Sequence, residues 1–298
     1  MLQEGEYPTI LGWRYERFPA VDSRTSSPEL RLLWTDRLGL SIFQIGRADT
    51  KRVRLTFGHD ISIDVDTILQ SVSDSSRQGL TPANAYHFLA DQVYPRILSH
   101  KGAFIVHAGG VLVGDRAALF LGPSGYGKST LVASFDQSGV SLMGDDAICI
   151  SLGDGFQMAR ALYPSLRLLP DSLAELFSPS VETAPVATYT IKQRVIRGAQ
   201  SKDVSREAPI AAIFLINSAP SNEIGIRRLS IARACMACVE NSFALNPSDT
   251  EHAQRRLTQA SALARQVPAF EITYPRDYAR LPEVRQAILD QIASLEPA

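Results

Sequence analysis

Gly122-Pro-Ser-Gly-Tyr-Gly-Lys-Ser-Thr130 is the stretch that decides the fold of this chain. It fits the pattern of a phosphate-binding loop, in which Gly is followed by four residues and then by Gly-Lys-Ser or Gly-Lys-Thr. The apolar run Arg116–Leu121 before it predicts a buried strand, and residues 131–135 after it continue at helical spacing. Because the motif lies between a strand and a helix, its context favours a phosphate-binding loop over a Gly-rich turn that binds nothing.

The residue types of this loop suit a nucleoside triphosphate. Its glycines allow backbone conformations closed to other residues, so that successive N–H groups can face a phosphate chain. The helix that follows adds the positive end of its dipole. We expect Lys128 to reach the β- and γ-phosphates and Ser129 to bind Mg²⁺, with Thr130 as the weaker candidate for that role. The residues predicted to bind ATP are Gly122, Ser124, Gly125, Tyr126, Gly127, Lys128, Ser129 and Thr130.

Length and composition are those of an ordinary globular protein. The 298 residues suffice for one large domain or two ordinary ones. Hydrophobic residues make up 45%, and a net charge of -1 predicts no general attraction to nucleic acid or anionic membranes. No run of about 18 apolar residues predicts a membrane span, and the N-terminus lacks the features of a signal peptide. We therefore expect a cytoplasmic protein.

Three cysteines, Cys149, Cys235 and Cys238, argue against a disulfide framework. The spacing of Cys235 and Cys238 also occurs in redox and zinc sites. No second Cys or His pair completes four zinc ligands, and the surrounding residues read as a helix. We expect two buried helix cysteines and keep a redox role as the alternative.

The chain is predicted to divide into a small β-rich region, residues 1–80, and a P-loop domain, residues 81–298. Residues 71–79 are polar and are predicted to form a loop or linker. In the second part strands alternate with helices, which predicts an α/β fold. The predicted strands are 30–34, 40–45, 53–57, 103–106, 111–113, 116–121, 141–143, 209–216 and 269–274, and the predicted helices are 81–98, 171–177, 227–245, 248–265 and 281–295.

Two adjacent carboxylates, Asp145 and Asp146, follow the strand after the loop's helix. One could bind Mg²⁺ opposite Ser129, and Asp145 is assigned to that role; a second could accept the proton of an attacking hydroxyl. Adjacent residues of an extended chain point in opposite directions, so the pair must lie at a turn for both to serve. Which aspartate is the base stays open, and the alternative reading is a surface Asp-Asp turn.

Other polar side chains are weaker candidates for the same site. His107 follows an apolar strand and either handles or orients a proton near the phosphates or is a structural histidine. The bases between Lys192 and Arg206 form either a solvated loop or a lid that brings a cation to the transferred phosphate or binds an acidic partner. The residues assigned to a substrate or its phosphate are Arg160, Arg167, Lys192 and Arg194.

Several of these motifs occur in an order that resembles one enzyme family. The segments 104–108, 122–130 and 144–146 look like the catalytic domain of HPr kinase/phosphorylase, and more closely like the shorter HPr-kinase-like serine kinases, including those of lasso-peptide gene clusters. Residues 163–170 and 270–275 are similar to the same group, so the resemblance covers about residues 85–298. It implies a mixed, twisted sheet similar to that of phosphoenolpyruvate carboxykinase.

The resemblance also implies an activity and roles for residues. It implies ATP- and Mg²⁺-dependent phosphorylation of a serine on a protein or peptide, with Lys128 holding phosphates, Asp145 and Asp146 supplying acid and base functions, and His107 in the family's histidine position. The family carries a metal-binding carboxylate where this chain has Ala159, directly before Arg160. That departure argues against the phosphorylase reaction and against HPr as the substrate.

The sequence therefore predicts an ATP-dependent serine kinase that acts on a protein or peptide, with a lasso-peptide precursor as one candidate. Two alternatives remain open: a small-molecule kinase on the same fold, and a nucleotide-sensing module without transferase activity. The related enzymes form hexamers, so a homo-oligomer is also expected from the resemblance.

Overall fold

The computed structural model describes residues 14–17, 29–35, 40–46, 51–57, 61–76, 84, 87–163, 165–187, 190–196, 206–217 and 221–295. The chain divides into two compact units: residues 1–100 with 244–253, and residues 101–243 with 254–298. The division differs from the boundary predicted at residue 80, because the helical residues up to His100 make their contacts within the first unit. The predicted start of that helix, 81–83, lies outside the described residues.

The first unit contains a six-stranded sheet in the order β1-β6-β5-β4-β3-β2. The predicted strands are present, but the prediction of a loop over 71–79 is wrong for its first half. There Val72 is buried between half-buried serines, which is the alternation of a strand. The strands are β1 (Arg14–Arg17), β2 (Leu30–Thr35), β3 (Leu40–Ile45), β4 (Arg52–Phe57), β5 (Ile61–Asp66) and β6 (Ser71–Asp74).

A helical segment follows this sheet in the first unit. A π-helical turn over Leu89–Val93 runs directly into helix α1, Tyr94–His100. Phe88, Val93 and Ile97 are fully buried, so the predicted apolar stripe is confirmed for the described part of the segment.

The second unit is a mixed α/β structure built on one curled sheet. Strand β16 lies at its centre, parallel to β9 and β18 and antiparallel to β12. The strands are β7 (Phe104–Val106), β8 (Ala108–Val113), β9 (Arg116–Leu121), β10 (Ser141–Gly144), β11 (Ile148–Gly153), β12 (Phe156–Ala161), β16 (Ala208–Ile216), β17 (Gly225–Arg228) and β18 (Ala269–Thr273). A separate small sheet has the order β13-β15-β14, with β13 (Arg167–Leu168), β14 (Thr183–Pro185) and β15 (Gln193–Val195).

Helices cover both faces of this sheet. Alternate residues of β9 point to opposite faces: Leu119 joins one apolar core and Phe120 the other. In the second core the Phe120 ring stacks on Phe135 and Phe214, with centroids 5.7 and 5.9 Å away. The helices are α2 (Lys128–Gln137), α3 (Pro170–Leu176), α4 (Ile231–Glu240), α5 (Thr250–Gln266) and α6 (Leu281–Ala293). None of the helices in the described part of the chain is both long enough and apolar enough to cross a bilayer.

The helix predicted over 227–245 is shorter than expected. Its first residues belong to strand β17, and α4 begins only after Ser230, whose hydroxyl oxygen accepts a hydrogen bond from the Arg233 N–H. Cys235 and Cys238 are buried on this helix, as predicted. Burial raises the pKa of the Cys238 thiol to about 12, which disfavours the thiolate that redox chemistry needs.

Strand pairing brings three distant segments to one edge of the sheet. Strands β8 and β9 are antiparallel, with Ala108 opposite Leu121, so the start of β8 lies beside the end of β9. Strand β10 is antiparallel to β8, with Gly144 opposite Gly110. The residues that precede β8, follow β9 and follow β10 therefore meet at this edge.

Close packing at this edge predicts an asymmetry between two glycines. A Cβ at Gly144 would lie 2.5 Å from the Ala161 Cβ, whereas one at Gly153 would meet mainly the flexible end of Met158, at 3.1 Å. We expect Gly144→Ala to lower the free energy of unfolding by about 2 kcal/mol and Gly153→Ala by less than about 1 kcal/mol. Chemical denaturation of both variants measures the difference, and equal losses would contradict the described packing.

Candidate functional site

The loop of residues 122–130 has a backbone that only its glycines allow. Gly125 and Gly127 have φ angles of 83° and 85°, in the left-handed region where other residues are strained. A Cβ at Gly127 would also lie 3.0 Å from an Arg276 guanidinium nitrogen. Helix α2 begins directly after Gly127, so its unpaired N–H groups face the space beside the loop.

Lys128 is buried at the start of α2 and closes the loop on itself. Its Nζ donates hydrogen bonds to the carbonyl oxygens of Gly122, at 2.7 Å, and Pro123, at 3.0 Å. Burial lowers the pKa of Lys128 to about 8, an effect that the charges of Asp145 and Asp146 partly offset. An anion in the loop would stabilise the charged form of this amine.

The two hydroxyl residues after Lys128 face different neighbours. The Thr130 hydroxyl is hydrogen-bonded to the Ser172 hydroxyl, at 2.9 Å, which in turn is hydrogen-bonded to Tyr278. Ser129 lies close enough to the Asp145 carboxylate to lower its pKa, although not in ordinary hydrogen-bonding geometry. This arrangement favours Ser129 over Thr130 as a partner of Asp145.

Asp145 is fully buried, and neither of its carboxylate oxygens has a hydrogen-bond partner among the residues that the structure describes. Burial, reinforced by the neighbouring charge of Asp146, raises the pKa of Asp145 to about 6. A buried carboxylate without a partner beside a serine hydroxyl suits the oxygen ligands that Mg²⁺ prefers. Across the described residues no three His, Cys, Asp or Glu side chains form a metal-binding group, so such an ion would take its other ligands from water and phosphate oxygens.

Asp146 lies at the turn that the sequence analysis required. Its φ angle of 74° is left-handed, which turns the chain between the two carboxylates. Its Oδ1 lies 3.5 Å from the His107 Nε2, and its Oδ2 lies 3.5 Å from an Arg167 guanidinium nitrogen. Burial raises the pKa of Asp146, but His107, Arg167 and Lys192 lower it more, so this pKa lies well below the usual range.

His107 lies between β7 and β8 with about a third of its side chain exposed. Burial and the charge of Lys128 lower the pKa of His107, while Asp146 raises it. The net shift of this pKa is downward, which favours the neutral imidazole, and its Nε2 faces the Asp146 carboxylate. The position of the ring at the loop favours a functional over a purely structural histidine.

Apart from Asp145, which is fully buried and is not among the lining residues, these groups line one cavity of about 360 Å³. Lys192 reaches it from the segment that sequence analysis read as a basic loop, and Arg167 lines it too. The described residues that line the cavity are His107, Ser124, Gly125, Tyr126, Gly127, Lys128, Ser129, Thr130, Asp146, Arg167, Leu168, Leu169, Asp171, Ser172, Lys192, Tyr274, Pro275, Arg276, Asp277, Tyr278 and Leu281.

Two of the predicted substrate residues are not among those that line the cavity. Arg160 is exposed on β12, because the alternation of that strand turns it away from the buried Ala159 and Ala161. Arg194 lies in β15 opposite Arg167 in the small sheet. Other bases of the predicted lid, Arg197 and Lys202, lie outside the described residues.

Two residues that position the loop were missed by the sequence analysis. The Asn241 side-chain oxygen accepts a hydrogen bond from the Gly122 N–H, at 3.3 Å, and its backbone carbonyl accepts one from the His107 N–H, at 2.7 Å. Arg276 donates to the carbonyl oxygens of Tyr126, at 2.8 Å, and Asn217, at 2.9 Å. The one available signal was the family-like segment 270–275, which ends just before Arg276.

Comparisons with known proteins add little to this geometry. No protein-family model and no curated protein matches the chain. Among solved structures, the chain is similar to the Hpr(Ser) kinase/phosphatase from Coxiella burnetii with a TM-score of 0.32 and 12% sequence identity, over 63% of this chain and 97% of that one.

The opposite pKa shifts of the two aspartates predict opposite effects on stability. Because the pKa of Asp145 is raised, the folded protein loses stability as pH rises from about 4 to about 6, and Asp145→Asn should restore about 1–2 kcal/mol at pH 7.5. The pKa of Asp146 is lowered, so its contribution is present above about pH 4 and lost below it. Asp146→Asn should therefore cost roughly 1 kcal/mol at pH 7.5.

Denaturant titrations of both variants and wild type at pH 7.5 and pH 4 measure these effects. We expect the gain in Asp145→Asn to shrink toward zero at pH 4, whereas most of the loss in Asp146→Asn should remain there, because the pKa of Asp146 in the folded protein lies well below that pH. A destabilised Asp145→Asn variant at pH 7.5 would mean that the Asp145 carboxylate has a stabilising partner, contrary to the structure.

Proposed function

We propose that this chain is an ATP-dependent kinase that transfers the γ-phosphoryl group to a serine of a protein or peptide. The observation that carries the proposal is a pair of adjacent aspartates of which Asp146 lines the cavity and Asp145 is fully buried next to it. Asp145 is buried without a partner beside Ser129, and Asp146 faces the cavity between His107 and Arg167. One carboxylate is thus suited to a metal ion and the other to an acceptor group.

The triphosphate would lie along the loop of residues 122–130. Its oxygens would accept hydrogen bonds from the backbone N–H groups at the start of α2. Lys128 would exchange its bonds to the Gly122 and Pro123 carbonyls for bonds to the β- and γ-phosphates. Ser129 and Asp145 would hold Mg²⁺, which neutralises phosphate charge when bound. Catalysis then depends on positioning and on charge compensation.

In the proposed reaction Asp146 acts on the acceptor. It would accept a hydrogen bond from the serine hydroxyl and take its proton as the bond from serine Oγ to phosphorus forms. The bond from that phosphorus to the oxygen bridging it to the β-phosphate breaks, and ADP leaves. His107 and Arg167 fix the orientation of the carboxylate and keep it ionised, while Lys192 adds a cation near the transferred group.

The choice of a serine acceptor on a protein or peptide is supported by the resemblance of the His, loop and Asp-Asp motifs to the HPr-kinase-like serine kinases. A precursor peptide of the lasso type is one acceptor that this resemblance suggests. Asp146 faces a cavity that is open to solvent, and this geometry by itself would accept the hydroxyl group of any alcohol.

Removing the lysine amine should abolish nucleotide binding. We expect Lys128→Ala to weaken ATP binding by at least about a hundredfold and to eliminate phosphoryl transfer, because the triphosphate loses its main cation. Isothermal titration with ATP and Mg²⁺ measures the binding. The variant Lys101→Ala, which removes an exposed lysine of the same unit, is the control and should bind as wild type does.

Removing the acceptor-facing carboxylate should spare binding. We expect Asp146→Asn to bind ATP within about threefold of wild type and to lower kcat by about a hundredfold, the usual effect of losing a general base. The assay incubates each protein with γ-labelled ATP, Mg²⁺ and candidate acceptors and locates the label by mass spectrometry. Full turnover in Asp146→Asn would exclude this residue as the base.

The position of the label separates the proposed function from its alternatives. A label on a serine of a peptide or protein supports the proposal. A label on a metabolite would assign a small-molecule kinase, and nucleotide binding without transfer or hydrolysis would assign a nucleotide-sensing module.

A further inference from the structure

A second depression lies in the same unit at the opposite end of strand β9. We call it the distal groove; its volume is about 690 Å³, and it shares no described lining residue with the first cavity. Arg116 lines it and begins β9, whereas Leu121 ends β9 at the loop of residues 122–130. The strand has six residues, so five residue steps separate its ends, which is a distance of about 17 Å.

The floor and part of the rim of the distal groove are apolar. Ile210, Val267 and Ala269 are buried in its floor. At the rim, Phe156 is 44% exposed and Ile231 is 56% exposed, although both side chains are large and apolar. Burying such side chains against another apolar surface is favourable, at about 25 cal/mol per Å².

The remaining rim of the distal groove is basic. Arg116, Arg228 and Arg265 line it, and none of them has a side-chain hydrogen bond or ion pair with another described residue. No Asp or Glu is among the described residues that line it. By contrast Arg227, the neighbour of Arg228 in β17, is bound to Glu271 at 2.7 Å. Three unpaired guanidinium groups around one groove favour an anionic ligand.

The polar lining fits carboxylates better than a small phosphorylated metabolite. Apart from the arginines it consists mainly of Ser294 and of Gln157 and Gln266, whose amides are hydrogen-bonded to each other at 3.2 Å. An anion that is polar throughout would leave the apolar Phe156 and Ile231 side chains of the rim uncovered. A peptide that alternates acidic and apolar side chains would satisfy both parts of the rim, because the planar fork of Arg matches a carboxylate.

We propose that the distal groove binds an extended peptide segment that carries both acidic and large apolar side chains. This inference rests on the proposed function: the peptide segment is part of the acceptor and docks the acceptor to the kinase. The distance of about 17 Å corresponds to at least about five extended residues, so the docking segment is separated from the phosphorylated serine by that length or more.

Direct binding to the full chain tests the groove without any need for catalysis. The probe is a fluorescent peptide of about ten residues that alternates Glu with Leu or Phe, followed by anisotropy. Two further peptides replace every Glu by Gln, or every Leu and Phe by Gly. We expect saturable binding of the first peptide and at least about tenfold weaker binding of the other two.

Matched variants locate the binding on the groove. We expect the double variant Arg228→Gln with Arg265→Gln to weaken binding of the acidic apolar peptide by at least about tenfold. Arg227→Gln, an exposed change of the same charge on the same strand, should alter binding by less than about twofold. In the same way Ile231→Gln should weaken binding, whereas Met236→Gln, exposed on the same helix but outside the groove, should not.

Several results would overturn the proposal. They are the absence of saturable binding, an equal loss in Arg227→Gln, and displacement of the peptide by an equal concentration of inorganic pyrophosphate in the Lys128→Ala background. The last result would assign a small polyanion instead of a peptide. A chain ended at Leu295 is titrated in parallel; if it binds the peptide more than about twofold tighter, the groove belongs to this chain's own last residues, which include Glu296.

Peptide anisotropy measures binding to the distal groove, and transfer of label to serine measures catalysis, so the two proposals can fail independently. If transfer to serine fails while the peptide binds the groove, the proposed function fails and the groove stands as a peptide-binding site. If transfer succeeds, the Arg228→Gln and Arg265→Gln double variant should raise KM about tenfold for acceptors that carry the acidic segment and leave kcat unchanged. An unchanged KM with such acceptors would overturn the docking role.

Discussion

The buried carboxylate of Asp145 is the constraint on which the candidate site depends. A carboxylate without hydrogen bonds is costly in a protein interior, and an apolar residue of similar size would be more stable there. The fold nevertheless places this group between the loop of residues 122–130 and a second acid, Asp146. Lys128, nearby, bonds to the carbonyls of its own loop instead of to either acid. The unpartnered Asp145 carboxylate and the inward-bonded Lys128 amine would both be explained if a cation and an anion bind together beside the loop.

The sequence predicted those parts of the site whose positions follow from the pairing of neighbouring strands. The strands of the β8–β9 hairpin and the strand before Asp145 were readable from apolar runs of the sequence. Once paired, they fix where His107, the loop and the aspartates meet. Asn241 and Arg276 could not be predicted in this way, because their contacts with the loop span more than a hundred residues and depend on the tertiary fold.

Local patterns failed where the tertiary structure overrode them. The polar residues 71–74 form a strand because the neighbouring β5 supplies hydrogen bonds and a buried face for Val72. Arg160 and Arg167 looked equivalent as candidate substrate residues. Only Arg167 enters the cavity, since Arg160 occupies an outward position of an alternating strand. Sequence spacing alone does not tell which residues of that strand point inward and which point outward.

The left-handed backbone at Asp146 limits how this position can evolve. Among non-glycine residues, Asn and Asp tolerate such a φ angle most readily, and glycine adopts it freely. A descendant of this chain that no longer needed the Asp146 carboxylate would keep the turn most easily with Asn or Gly at position 146. Few residue types should therefore be tolerated at position 146. A paralogue without the carboxylate would be recognisable by Asn or Gly at that position.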